Sequence, residues 1–190
     1  MSRFFSKKYK DLVPYVPGEQ PQDRSYIKLN TNESPFQASP KAQAVVAEAA
    51  KRLQLYSDPE CKLLRQKAAE LYGISTDEVI FTNGSDELLN FVIMAFCDAE
   101  TEAAFPDITY GFYKVFAQLN AVPYTQIPLM DDFSVNVDDY IGCNKTILIA
   151  NPNAPTGLAL SLADVEKVWA ISKLSYLRIR GTAVSPPKST

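Results

Sequence analysis

Short apolar segments that alternate with helical segments are the feature that most constrains the fold of this chain. Apolar runs at 79–82, 103–105 and 146–150 are each followed by a polar turn and then by a helical pattern, and a further strand is predicted at 122–127. Strands that alternate with helices are typical of an α/β fold, with a mainly parallel sheet and flanking helices. Ligands of such sheets bind at the carboxyl ends of strands, so the turns after the apolar runs are where a site is expected.

Capping residues and apolar spacing predict five helices, at 39–56, 58–73, 86–97, 110–119 and 162–169. Ser39 is suited to cap the first helix, and Ser161 and Asp164 have the spacing of a capping box at the last. The helix at 86–97 is apolar on most of its surface, so we expect it to be covered on most sides. Residues 1–36 contain four prolines and no regular period, which predicts an irregular N-terminal arm.

Composition excludes several classes of site. The 190 residues include no histidine, which removes the Ser-His-Asp triad, a histidine-activated cysteine and every histidine metal site. The three cysteines are odd in number and far apart, which argues against a disulfide framework or a zinc knuckle. We therefore expect no metal and a reducing, cytoplasmic compartment. No run of 18 apolar residues and no signal-like start is present, so no membrane association is expected.

Charge is spread unevenly along the chain. The net charge is −3, but the last acidic residue is Glu166, and the segment from residue 169 onward contains four basic residues and no acidic one. A basic tail can bind an anionic partner, yet four charges interrupted by apolar residues are too sparse to favour nucleic-acid binding.

The turn Asn83-Gly84-Ser85-Asp86-Glu87 lies between a predicted strand and a predicted helix. Glycine lets a backbone approach a ligand closely, and the N–H groups of a first helical turn bind anions, phosphate especially. The lysine of a nucleotide-binding P-loop is absent, which disfavours a nucleotide-binding α/β protein. The alternative interpretation is that two acids are simply placed favourably at a helix start.

Two further turns carry candidate ligand-binding groups. Tyr110 follows a strand and could stack on a planar ring, or it could be a packed aromatic of the core. The run Asn151-Pro152-Asn153-Ala154-Pro155-Thr156-Gly157 fixes a rigid loop in which two asparagine amides can reach one ligand. A surface turn can use the same residue types, so this pattern also has two interpretations.

Taken together, in this order and spacing, the three turns resemble those of the fold-type-I pyridoxal-phosphate aminotransferases. The segments Leu29-Asn30-Thr31-Asn32-Glu33-Ser34-Pro35-Phe36 and Tyr56-Ser57-Asp58-Pro59 narrow the resemblance to class II and the histidinol-phosphate aminotransferase family. The likeness covers about residues 7–168. It implies a partial aminotransferase large domain that binds pyridoxal 5'-phosphate.

The resemblance also implies roles for particular residues. Gly84, Ser85 and Asp86 would hold the cofactor phosphate, largely through backbone N–H groups. Tyr110 would stack on the pyridine ring of the cofactor. Tyr56 would reach the cofactor phosphate of the other subunit, so a homodimer is implied.

Asn32 and Glu33 correspond to the family's substrate-facing N-terminal segment. The family's Asn-Pro loop usually gives its second asparagine to the ring hydroxyl of the cofactor. That position is Ala154 in this chain, and Asn153 is the candidate that would replace it.

By resemblance, the reaction would be transfer of an amino group between histidinol phosphate and glutamate, through imidazole acetol phosphate and 2-oxoglutarate. The family's Schiff-base lysine, and the acid that pairs with the pyridine nitrogen, lie beyond the Asn-Pro loop. No acid follows Glu166, and between Gly157 and Lys173 there is room for a helix but for no strand, which disfavours Lys173 as that lysine. We therefore predict no catalytic residue in this chain, and an inactive truncated form.

The predicted organisation is an arm at 1–36, a truncated large domain at 37–168 and a divergent basic tail at 169–190. Two other functions stay open. One is an aminotransferase or decarboxylase of the same fold with another substrate. The other is a non-catalytic remnant that binds a phosphate ligand or a protein partner.

Overall fold

The computed structural model describes residues 4–10, 16, 18–19, 21–23, 26–27, 29–31 and 33–171. They belong to two compact units. Among the described residues, one unit combines those up to position 16 with 83–171, and the other contains those within 18–82. Asn32, Lys173 and all but the first three residues of the predicted tail lie outside the described residues.

Helix α1, Pro40–Ala50, opens the regular structure of the second unit. Its start is confirmed, because the Ser39 hydroxyl accepts a hydrogen bond from the Ala42 N–H at 3.2 Å and Pro40 is the first helical residue. The predicted extension to Tyr56 is wrong, since turns replace the helix after Ala50. None of the residues of α1 is buried, so nothing within the described residues covers its apolar side chains.

Helix α2, Lys62–Tyr72, follows a turn that Asp58 organises. The Asp58 carboxylate accepts hydrogen bonds from the N–H groups of Glu60 and Lys62, at 3.0 and 2.8 Å. These bonds hold the pKa of Asp58 below its ordinary value. Gly73 ends α2 in the left-handed region with φ of 66°, as the sequence predicts.

The apolar run at 79–82 is not a strand in this structure. Val79 has extended dihedral angles, φ −135° and ψ 135°, but no segment in the described part of the chain pairs with it. An extended backbone becomes a strand only when a neighbour supplies ladder hydrogen bonds. The local sequence therefore predicted the extended backbone of Val79 correctly, but the predicted strand at 79–82 is wrong because no neighbouring strand pairs with it among the described residues.

The other unit contains a parallel sheet of three strands: β1, Ala103–Pro106; β2, Tyr124–Ile127; and β3, Thr146–Ile147. Their order is β2-β1-β3, and both pairings are parallel. β1 lies in the centre and all four of its residues are buried. The predicted α/β fold with a mainly parallel sheet is confirmed.

Three helices accompany this sheet: α3, Ser85–Phe96; α4, Phe112–Leu119; and α5, Leu162–Ile171. Helix α3 buries one face, on which Leu89, Val92 and Ile93 pack into the core with Phe105 of β1. The prediction that α3 is covered on most sides is wrong, because three of its large apolar side chains are exposed: Phe91, Met94 and Phe96. The buried set has the i, i+3, i+4 spacing of a single helical face.

Helix α5 begins as its capping box predicts. The Ser161 hydroxyl accepts a hydrogen bond from the Asp164 N–H at 3.1 Å and donates one to the Asp164 carboxylate at 2.6 Å. Among the described residues, no helix has the length and apolar character that crossing a membrane requires.

An ionic cluster ties the amino ends of the three strands together. Lys145, just before β3, forms a salt bridge with Glu102, just before β1, and donates to the Thr125 hydroxyl of β2 at 2.5 Å. The bond and charge of Lys145 lower the pKa of Glu102 below its ordinary value. The cluster therefore links all three strands at the end of the sheet opposite to the predicted site.

We expect Glu102→Gln to remove a pH-dependent part of the stability. A carboxyl whose pKa is lowered by folding stabilises the protein above its unfolded pKa, and that contribution is lost as pH falls through the folded pKa. The variant should therefore be less stable than the wild-type chain at pH 7, with the difference shrinking as the pH falls below about 4. Urea unfolding followed across this pH range measures the difference.

The matched control is Glu100→Gln, at an exposed position of the same segment. Its stability should follow that of the wild-type chain across the range. A deficit in the Glu102 variant that stays constant with pH would contradict the role assigned to the carboxylate charge.

Candidate functional site

The three turns singled out from the sequence meet in one unit, at the carboxyl ends of β1 and β3 and the start of α3. Two side-chain hydrogen bonds connect them. The Tyr110 hydroxyl donates to the Asp86 carboxylate at 2.6 Å, and the Thr109 hydroxyl donates to the Asn153 side-chain oxygen at 2.7 Å. The parallel sheet explains the meeting, because it brings the carboxyl ends of its strands to the same edge.

Gly84 stands at the start of α3 in a conformation that only glycine adopts readily. Its φ is 84° and its ψ is 173°, and no atom lies within 4 Å of the place where a β-carbon would project. A β-carbon would therefore meet open space, so backbone conformation rather than crowding favours glycine here. The first-turn N–H groups of α3, including those of Ser85 and Asp86, have no partner within the helix and give this end a partial positive charge.

Both acids of the turn are engaged locally. The Glu87 carboxylate accepts a hydrogen bond from the Asn83 N–H at 2.6 Å, which fixes the turn just before the helix. Asp86 is half-buried and accepts the hydroxyl of Tyr110. Asp86 thus links the start of α3 to the turn after β1. This link is additional to the favourable interaction that either acidic residue has with the dipole at a helix start.

Tyr110 is a half-buried ring fixed on several sides. Its centroid lies 5.7 Å from that of Phe112 and 5.8 Å from that of Tyr113, which it meets edge to face at 81°. Burial of Tyr113 raises the pKa of its phenol to about 12, so that phenol stays neutral. Tyr110 packs on these neighbours and is still partly accessible. A packed aromatic of the core and a ring available for stacking are therefore compatible interpretations of this residue.

Asn153 is the most deeply buried residue of the Asn-Pro loop, at 3% exposure. Its side-chain nitrogen donates to the Ile108 carbonyl at 2.9 Å and to the Thr156 hydroxyl at 3.2 Å. The Asn151 side-chain oxygen accepts the Leu160 N–H at 2.9 Å. Both predicted asparagines are therefore engaged in fixing backbone of this loop or of the turn after β1.

Sequence reasoning missed two residues that organise the site. Asp107 directly follows β1, and its carboxylate accepts the N–H groups of Ile108 and Leu129 at 2.8 and 3.0 Å. Thr109 forms the bond to Asn153. Both stand in the turn that the sequence marked, but aspartate and threonine are ordinary turn residues, so nothing in the local pattern set them apart.

The other residues that the sequence analysis proposed for the site lie outside this unit: two belong to the second unit, and one is outside the described residues. Tyr56 is fully exposed in a turn after α1, and Glu33 is exposed before it. Asn32 lies outside the described residues. Their predicted contacts with the cofactor or substrate stay predictions.

A cavity of about 270 Å³ lies beside the Asn-Pro loop and is bordered by Phe133, Asn153, Leu160 and Asp164. Neither the glycine turn at the start of α3 nor Tyr110 lines it. The cavity therefore shares Asn153 with the edge at which the three turns meet, but it does not extend to the glycine turn or to Tyr110.

The fold and these turns define an α/β domain in which a glycine-led helix start lies beside a fixed aromatic ring. The chain matches the aminotransferase class I and II family over residues 24–177 and belongs to that family. The resemblance drawn from the three turns is thereby confirmed.

Curated relatives of the chain are histidinol-phosphate aminotransferases. That of Clostridium acetobutylicum is 48% identical over 180 residues, which is 94% of this chain and 51% of the relative. That of a Marinomonas species is 49% identical over 170 residues, which is 88% of this chain and 48% of the relative. The chain spans about half the length of the curated relatives it matches.

Solved aminotransferase structures share the fold. Histidinol-phosphate aminotransferase from Sinorhizobium meliloti, solved in complex with pyridoxal-5'-phosphate, superposes with a TM-score of 0.69 at 22% identity, covering 75% of this chain and 40% of that one. Aspartate aminotransferase from Rhizobium meliloti gives 0.62 at 20% identity, covering 75% and 39%. The same fold thus serves aminotransferases named for different substrates, so the fold alone leaves the substrate open.

We expect Gly84→Ala to destabilise the chain by about 1–3 kcal/mol, because φ of 84° with ψ of 173° strains any residue that has a β-carbon. Urea unfolding of the full chain measures the loss. Gly111→Ala is the matched control, since Gly111 precedes α4 with φ of −60°, which any residue adopts. Equal unfolding free energies for the two variants would refute the conformational role of Gly84.

Proposed function

We propose that this chain binds pyridoxal 5'-phosphate at the edge of the sheet where the three turns meet. The observation that carries the proposal is the 2.6 Å bond between Asp86 and Tyr110. It joins a helix start suited to a phosphate to an aromatic ring suited to a pyridine, so one ligand that has both parts can use both.

The residues present fit the two ends of this cofactor. Gly84 leaves open space before the start of α3, where backbone N–H groups of Ser85 and Asp86 would bind the phosphate. Tyr110 would stack on the pyridine ring, held in orientation by its hydroxyl bond and by Phe112. Membership of the aminotransferase class I and II family supports this choice of ligand.

The chemistry proposed for the whole protein is transamination. When bound, the cofactor supplies an electron sink for charge that develops on the carbon bearing the amino group. The described residues have a supporting part: the start of α3 anchors the phosphate and Tyr110 orients the ring.

The proposed substrates are histidinol phosphate and 2-oxoglutarate, supported by the names of the curated relatives. Asn32 and Glu33 are proposed to face the substrate. Tyr56 is proposed to contact the cofactor phosphate of a second subunit in a homodimer, and its full exposure leaves it accessible for that contact. The proposed compartment is the cytoplasm.

Cofactor binding is tested by titrating the full chain with pyridoxal 5'-phosphate and following the quenching of intrinsic fluorescence. Tyr110→Leu should weaken binding roughly two- to tenfold, because the stacking contact is lost. Phe133→Leu is the control, since Phe133 is an exposed aromatic ring on the cavity that Tyr110 does not line. Binding that is equal in all three proteins would place the cofactor elsewhere, and no binding to the wild-type chain would refute the proposal.

A second assay separates catalysis from binding. Glutamate formation from histidinol phosphate and 2-oxoglutarate supports transamination by the chain. Borohydride treatment followed by mass spectrometry distinguishes covalent attachment of the cofactor to a lysine from reversible binding. Cofactor binding with neither attachment nor glutamate formation would favour the non-catalytic phosphate-binding remnant.

A further inference from the structure

We infer that Thr109 and Asn153 form a positioning pair that fixes the backbone next to Tyr110, and that Asn153 does not contact the cofactor ring through its amide N–H groups. The inference rests on the proposed pyridoxal-phosphate site and assigns a role to Thr109, which the family resemblance left without one.

Both polar atoms of the Asn153 side chain have hydrogen-bond partners within the protein. An asparagine side chain has two N–H donors and one oxygen acceptor. Both donors have partners, the Ile108 carbonyl and the Thr156 hydroxyl, and the oxygen accepts from Thr109. The side chain is almost fully buried, so these bonds replace contacts with water.

The orientation of this amide is fixed by its partners. A backbone carbonyl can only accept, so the side of Asn153 that faces Ile108 must be the nitrogen. The oxygen then faces the Thr109 hydroxyl, which donates. A ring oxygen of the cofactor that accepts a hydrogen bond would need an N–H donor from Asn153, and both of these donors already have partners.

The Thr109–Asn153 pair restrains the backbone that leads to Tyr110. Asn153 holds both Ile108 and Thr109, the two residues that directly precede Tyr110. Asp107 holds the other side of the same turn, by accepting the Leu129 N–H at 3.0 Å. The backbone leading to Tyr110 is therefore fixed on two sides, while Asp86 fixes its hydroxyl.

Loss of the Thr109 hydroxyl should mainly change the position of the Tyr110 ring. Thr109→Val keeps the shape of the side chain and removes the donor, which leaves the buried Asn153 oxygen without that partner. Thr109→Ser keeps the donor. The position of Tyr110 relative to the cofactor should therefore change in the first variant and be restored in the second.

The experiment measures pyridoxal 5'-phosphate binding to the full chain and the circular dichroism induced in the cofactor band at saturation. The free cofactor is achiral, so this signal reports how the ring is held. Thr109→Val should weaken binding roughly five- to tenfold and alter the induced band, whereas Thr109→Ser should stay within about twofold of the wild-type chain. Thr109→Ala is the second variant without the donor, should the valine substitution prevent folding.

Thr125→Val is the matched control, because it removes a half-buried hydroxyl of the same unit from the ionic cluster at the other end of the sheet. It should lower the thermal midpoint, because the bond from Lys145 is lost, and it should leave the induced band unchanged. A wild-type chain that binds no cofactor would refute the proposed function. Normal binding and an unchanged band in the Thr109 variants without the donor, or an equal change in the Thr125 variant, would overturn the positioning pair itself.

Discussion

Parallel pairing of β1 with a strand on each side is the constraint on which the rest of this unit depends. All four residues of β1 are buried, and the register aligns Ala103 with both Tyr124 and Thr146. Every polar group that follows β1 is thereby delivered to one edge, where Thr109 and Tyr110 meet partners from two other turns. The site is built from residues distant in sequence because the sheet places the ends of its strands together.

Local signals predicted what local interactions decide. The cap at Ser39, the capping box at Ser161 and the glycine after α2 depend on residues within a few positions of one another, and each is present. The strand at 79–82 and the cover over α3 depend on segments that pack from elsewhere. Periodicity shows which residues are apolar, but it does not show whether a neighbour will cover them.

For the candidate site, too, the sequence predicted individual residues but not the contacts between distant ones. Sequence alone marked Gly84, Asp86, Tyr110 and Asn153, because glycine, an aromatic ring and asparagine in turns after strands are chemically suggestive. It could not show that Asp86 pairs with Tyr110 or that Thr109 pairs with Asn153, since 24 and 44 positions separate the partners. Only the folded chain distinguishes a polar side chain that supports a neighbouring residue from one available to a ligand.

The ionic cluster stabilises the amino ends of the strands, whereas the candidate site lies at their carboxyl ends. Four residues of β1 span about 13 Å, and the turn that carries Tyr110 starts beyond them. Changes separated by more than roughly 7–10 Å and lacking shared partners usually contribute independently to stability. Substitutions in the turns could therefore be offset by strengthening the far end, which leaves the ligand-binding edge free to diversify while the same scaffold persists.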